Sequence, residues 1–140
     1  MALKNTYAKL PAKRYIELIE QALVQAGAVG LQFLYENQKI TGLAFLLEIN
    51  KNKVTFQLPI NWKKVQMVLK KEGVARYNDD EYAYRVSWAI MKDWVEAQMA
   101  ILASENVTMP QLFLPYAMVS LTETLFEKVS KTQFLLGESK

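Results

Sequence analysis

The side chains with the most chemistry to offer are cations set among aromatics. Trp62-Lys63-Lys64, Lys70-Lys71 and Arg76-Tyr77 follow one another closely, and Lys51 and Lys53 stand in a turn just upstream. Lysine and arginine neutralise phosphates and release the counterions condensed on a nucleic acid. An exposed Trp62 or Tyr77 would stack a base. On a helix Lys63 lies close in angle to Lys70, and Lys64 to Lys71, but the two pairs stand about 100° apart. The same residues therefore also fit a solvated basic edge. The charge balance points the same way: residues 1–70 carry ten Lys/Arg against four Asp/Glu, and residues 71–140 carry seven against ten, so +6 and −3 make the net +3. A basic half suits phosphate or an acidic partner.

Other chemistries are poorly supplied. The chain has no histidine and no cysteine. That removes the commonest general base, the commonest transition-metal ligands and any thiolate or disulfide. The Asp79-Asp80-Glu81 cluster lacks the glycine-punctuated spacing of a calcium loop and reads as a helix start. No phosphate loop, dinucleotide fingerprint, nucleophile elbow or carboxylate pair is present. We expect no enzyme, no metal and no cofactor.

A second candidate is VSWAIMKDWVEAQMAIL, Val86 to Leu102, where two tryptophans flank Lys92-Asp93. At about 100° per residue, Met91, Val95, Met99 and Leu102 gather near Trp88. Trp94 lies about 120° away, with Ala83, Val86, Ile90, Ala97 and Ile101. Two apolar stripes over about half the circumference describe an embedded helix, with the indoles as core wedges rather than stacking platforms. Gln98 between the stripes is either a satisfied core amide or a ligand contact. Asp93 is either a border carboxylate or an acid in a pocket. Lys92 and Asp93 point apart, and the expected helical ion pairs are Lys92–Glu96 and Glu81–Arg85.

These residues need elements to position them. Residues 11–26 read as a helix, with Pro11 in its first turn and Gly27 as its stop. Three strands follow, at about Val29–Tyr35, Gly42–Ile49 and Val54–Leu58, joined by the turns ENQK and NKNK. Asn61 caps a helix that Gly73 closes. A long helix runs from about Asp80 to Glu105. Thr108 caps a last helical region that Pro115 interrupts, and Leu121, Leu125, Phe126 and Val129 suggest one more short helix. Residues 1–10 and 136–140 are expected to be loose. The expected fold is thus a single α+β domain over residues 1–140. A three-stranded antiparallel meander packs against the N-terminal helix and the long central helix, with short C-terminal helices at the ends. The apolar runs are too short to span a bilayer, and the first residues show no signal-peptide core, so a cytoplasmic location is expected.

The pattern W-x-I-x-K-D-W-x-x-A-Q at Trp88–Gln98, with Val107-Thr108, Phe113-Leu114-Pro115-Tyr116 and the F-x-L-P of Phe56 to Pro59, resembles a family of uncharacterised small bacteriophage and prophage proteins. The likeness covers roughly residues 15–120. It implies a phage accessory protein in the cytoplasm of a bacterial host and carries no mechanism. Two functions then compete. The first is nucleic-acid binding through Lys51, Lys53, Trp62, Lys63, Lys64, Lys70, Lys71, Arg76 and Tyr77. The second is a protein-interaction module, inhibiting a host factor or assembling with itself, through Met67, Met109, Phe113 and Tyr116. The soft, adaptable methionines favour such a surface. The Phe113–Tyr116 segment is expected to fold back over one end of the core, with a docking hook as its alternative.

Overall fold

The structure, a computed structural model, describes Leu3 and residues 5–132. The elements run in the order α1 (Ala12–Gln25), β1 (Gly30–Glu36), β2 (Lys39–Ile49), β3 (Asn52–Gln57), α2 (Trp62–Lys71), α3 (Asp80–Ala103), α4 (Met109–Phe113), a 3-10 turn (Leu114–Tyr116) and α5 (Leu125–Thr132). The expected α+β architecture is what the chain adopts. The tail LLGESK lies outside the described residues.

The sheet is an antiparallel meander in the order β1-β2-β3. Both hairpins turn on two residues with left-handed backbone, Asn37-Gln38 (φ 51° and 67°) and Asn50-Lys51 (φ 51° and 69°). Such pairs make the type I′ turn, whose twist matches that of the flanking strands. The sequence suggested four-residue turns. The tighter ones extend β2 back to Lys39, three residues earlier than expected, and make it the longest strand. A register shift between Leu34 and Tyr35 marks a bulge in β1.

Alternation along the strands decides the rest. Leu43, Phe45 and Leu47 of β2, with Phe56 and Leu58, are buried on one face. Against them lie Tyr15, Ile16, Ile19 and Leu23 of α1 and Trp88, Met91 and Val95 of α3. Phe45 stacks on Phe56 with 5.4 Å between ring centres and receives Phe113 edge-on at 5.1 Å. The side of α3 turned away from the sheet builds a second, smaller core: Tyr82, Ala83 and Val86 close over Leu69 of α2. Of the second expected stripe, Ala83, Val86 and Ile90 serve the smaller core, whereas Trp94 packs against the main one and Ala97 and Ile101 are exposed. The helix is embedded only as far as Val95; beyond it the last two turns emerge and Ile101 is exposed.

Trp88 is completely buried, whereas Trp94 is only partly so, its ring meeting Phe113 and Tyr116 edge-on, each at 5.7 Å. Phe113 and Tyr116 thereby fold back over one end of the core. From there the chain returns to the sheet: the Met118 amide donates to the Thr55 carbonyl (2.7 Å), and Ala117 bridges Phe56. This covers the outer edge of β3, a feature the sequence did not suggest. Leu121, expected in a helix, sits instead in the loop of residues 118–124 that this return closes.

Leu3, Asn5, Thr6 and Ala8 hydrogen-bond to residues distant in sequence. The Leu3 amide donates to the Glu72 carboxylate (3.0 Å), Asn5 Nδ2 to Asp93 (2.8 Å), the Tyr82 hydroxyl to the Thr6 carbonyl (2.6 Å) and Arg85 Nε to the Ala8 carbonyl (3.0 Å). Glu72, just past the end of α2, and polar residues of α3 take part in these bonds, which a hydropathy reading of the segment cannot show.

Trp88→Ala should cost about 3–5 kcal/mol in urea unfolding, through lost burial and an unfilled cavity, and Trp94→Ala distinctly less. Gln38→Gly should do the opposite. A left-handed residue with a side chain costs energy that glycine does not, so the variant should gain roughly 0.5–1 kcal/mol by the same measurement.

Candidate nucleic-acid interface

Helix α2 is where the sequence concentrated its cations. It starts because the Asn61 side chain accepts from the Lys64 amide at 3.3 Å. It is held from beneath by Leu69, which is fully buried, and by Val65 packed at the edge of the smaller core. Gln66 pins it to the next element, donating through Nε2 to the Tyr77 carbonyl (3.0 Å) and to Asp80 (2.8 Å). Lys70 and Lys71 sit in the last turn, where the helix dipole favours positive charge.

The outward side is what remains. Lys63, Lys64, Met67, Val68, Lys70 and Lys71 are all exposed, Met67 to 62% and Val68 to 36%. Lys63 meets Glu36 at 3.6 Å, an open contact between two solvated side chains, of a kind that stabilises little and yields readily to another anion. Lys70 lies over the Tyr77 ring at 5.9 Å. Lys64 and Lys71 form no ion pair among the described residues.

Two aromatics expected as stacking platforms are otherwise engaged. Trp62 is partly buried, meets Tyr84 edge-on at 6.1 Å and carries the Lys39 ammonium 5.2 Å from its ring centre. Lys39 also lies 4.6 Å from the Tyr84 ring. No periodicity marks Lys39 in the sequence; only its place at the start of β2 brings it there. Tyr77 packs at the rim of the smaller core beneath Lys70. Arg76 is drawn away into a pair with Asp79 (3.0 Å) and lies over the Tyr82 ring at 4.5 Å. Arg85 stacks on the same ring at 5.8 Å while holding Glu81 at 3.0 Å. Arg76 and Arg85 line an open cleft of about 680 Å³ with Lys9 and Tyr7.

Lys51 and Lys53 are not part of this surface. Lys51 is in the β2–β3 turn and Lys53 at the start of β3, whereas Lys63 reaches Glu36 at the other end of β2. The eleven residues of β2 separate the two ends by about 35 Å at the rise of an extended strand. The sequence groups these cations with α2 because their turn is its neighbour along the chain, but β3 carries the chain away from that turn before α2 begins.

The residues expected to meet a protein partner also divide. Met67 is exposed, at the centre of the lysine face. Met109 and Phe113 are buried, and Tyr116 is partly buried against Trp94, so the first two leave the surface altogether. Met109 and Phe113 project from α4 into the main core because the Thr108 capping box fixes where that helix starts. Asp93 is exposed, accepts from Asn5 and, contrary to expectation, also pairs with Lys92 at 3.4 Å beside the expected Lys92–Glu96 pair at 3.2 Å. The flexible lysine stem spans the angle between neighbouring positions. Gln98 is only partly buried, so no interior amide has to be satisfied there. Among the described residues no cluster of three acidic side chains could hold a metal, and no helix is long and apolar enough to cross a membrane.

No protein-family model, curated protein or solved structure matches the chain.

Asp79 caps α3 by accepting from the Tyr82 amide (3.2 Å). The Arg76 hydrogen bond, then that amide, hold its carboxyl below the ordinary value of 3.8. A depressed acid stabilises the fold above its unfolded pKa and loses that contribution as pH falls through its folded one. Asp79→Asn keeps a cap but removes the charge. The variant should be less stable than the parent at neutral pH in thermal unfolding. The gap should close progressively below pH 3.8.

Proposed function

We propose that this protein binds nucleic acid through the outward face of α2, as an accessory protein rather than an enzyme. The observation that carries the proposal is the composition of that face: four lysines, three of them without an ion-pair partner among the described residues, surrounding an exposed methionine. Phosphate neutralisation needs mobile, unpaired cations on a rigid support, and α2 is fixed by Leu69, Gln66 and its Asn61 cap. The net charge of +3 adds a weak general attraction. The resemblance of Trp88–Gln98 and Phe113–Tyr116 to small phage proteins is in keeping with an accessory role in a phage-infected cell.

Four phosphate contacts should give a log–log salt slope of about −3 to −4 in fluorescence-anisotropy titrations with duplex DNA. Lys64→Ala/Lys71→Ala should reduce the magnitude of that slope by about 2. The paired change Lys51→Ala/Lys53→Ala should leave it unmoved. Absence of binding to duplex and single-stranded nucleic acid at low salt would remove the reading.

A second reading has its own support. Leu121 is 98% exposed at the tip of the loop of residues 118–124, and Leu34 and Val119 are exposed with it around the outer face of the sheet. Apolar side chains grouped beside an open sheet face suit a protein contact. Light scattering across a concentration series tests self-association there: on this reading Leu121→Asp lowers the mass of a dimer, and a strict monomer counts against it.

A further inference from the structure

The nucleic-acid reading leaves open which form of nucleic acid the α2 face fits, and the angular order of its side chains narrows that choice. With Trp62 set at zero and about 100° per residue, Lys63 and Lys70 form one row centred near 90°, and Lys64 and Lys71 a second row near 190°. Met67 falls at about 140°, on the bisector of the two rows, and Val68 at about 240°. Within each row the lysines are two turns apart, roughly 10 Å along the axis. The helix therefore presents an apolar ridge with a line of positive charge on either side.

A helix with its side chains is about 10–12 Å across. The major groove of B-form DNA is about 12 Å wide and walled on both sides by phosphates. Its floor displays base edges and the thymine methyl group, which accept apolar contact. We propose that α2 lies in the major groove of duplex DNA, the two lysine rows on opposite phosphate walls and Met67 toward the floor. The proposal rests on the nucleic-acid reading above. Other nucleic-acid forms fit this face less well. The A-form major groove is deep and narrow and does not admit such an element. Single strands are held mainly by aromatic stacking, and the aromatics nearest this face, Trp62 and Tyr77, are partly buried against the cores, with Lys39 and Lys70 over their rings. Glu36 stands beside Lys63 and must give up that exposed pair when a phosphate takes its place. The Glu72 carboxylate is turned to the Leu3 amide. With one methionine at the floor and no arginine, asparagine or glutamine on the outward face, contact is to phosphates and thymine methyls, so sequence preference is weak.

The test uses the full chain and four labelled ligands of one base sequence: a DNA duplex, the RNA duplex, the DNA single strand, and a DNA duplex whose cytosines carry glucosylated 5-hydroxymethyl groups. The last fills the major groove with a neutral substituent and leaves the phosphate charge unchanged. Binding to plain DNA duplex should be at least tenfold tighter than to the other three. Lys64→Ala/Lys71→Ala should weaken plain-duplex binding and shrink the penalty for the filled groove. Affinities for plain and glucosylated duplex within threefold of each other would overturn the groove assignment and leave the nucleic-acid reading standing, as would equal binding of DNA and RNA duplexes. Failure of all four to bind at low salt would remove both.

Discussion

Helix α3 has to bury two sides at once, and the rest of the molecule is arranged around that requirement. Its Trp88, Met91 and Val95 side is matched by the inner face of the sheet and by α1, while its Tyr82, Ala83 and Val86 side is matched by α2. Neither neighbour alone would keep so apolar a helix out of water, and a helix that is apolar over much of its circumference is stable only inside. Trp88 is central because it fills the space between sheet and helices with one rigid side chain. The same demand explains why α2 exists as a short helix with a single fully buried residue, Leu69. It serves as a lid on the second side of α3, and one lid needs only one apolar stripe.

From that follows the exposed character of α2. A ten-residue helix anchored by Leu69, Val65 and Gln66 spends its inner stripe on α3, and its outer side is exposed among the described residues. Its lysines are therefore solvated, at fixed positions and close together. Met67 lies in their midst. It is 62% exposed, one of several single apolar side chains on the surface, as is normal for a folded protein.

The N-terminal segment and the loop of residues 118–124 show a different economy. Both are loop-like by composition, yet both are fixed by hydrogen bonds to elements distant in sequence: Thr6 to Tyr82, Asn5 to Asp93, Met118 to Thr55. The second contact also protects an edge of the sheet. An unpaired strand edge is a template for unwanted pairing, and the fold-back through Phe113 and Tyr116 covers the β3 edge from within the chain.

What the sequence determined by itself was most of what is local or periodic, apart from the two hairpin turns and the segment around Leu121. The helices at Ala12–Gln25, Trp62–Lys71 and Asp80–Ala103, the three alternating strands, the Asn61 and Thr108 caps and the two-stripe character of α3 all follow from side-chain spacing and backbone chemistry within a few residues. The α2 lysines were legible for the same reason, since one helix places them. What only the tertiary structure decided was which distant groups meet. It moved Lys51 and Lys53 to the far end of the sheet, drew Arg76 to Asp79 and Tyr82, placed Lys39 on Trp62 and Tyr84, and buried Met109 and Phe113. Those outcomes depend on strand length, turn geometry and the packing of aromatic rings. A chain written in one dimension records the residues that take part but not the distances between them.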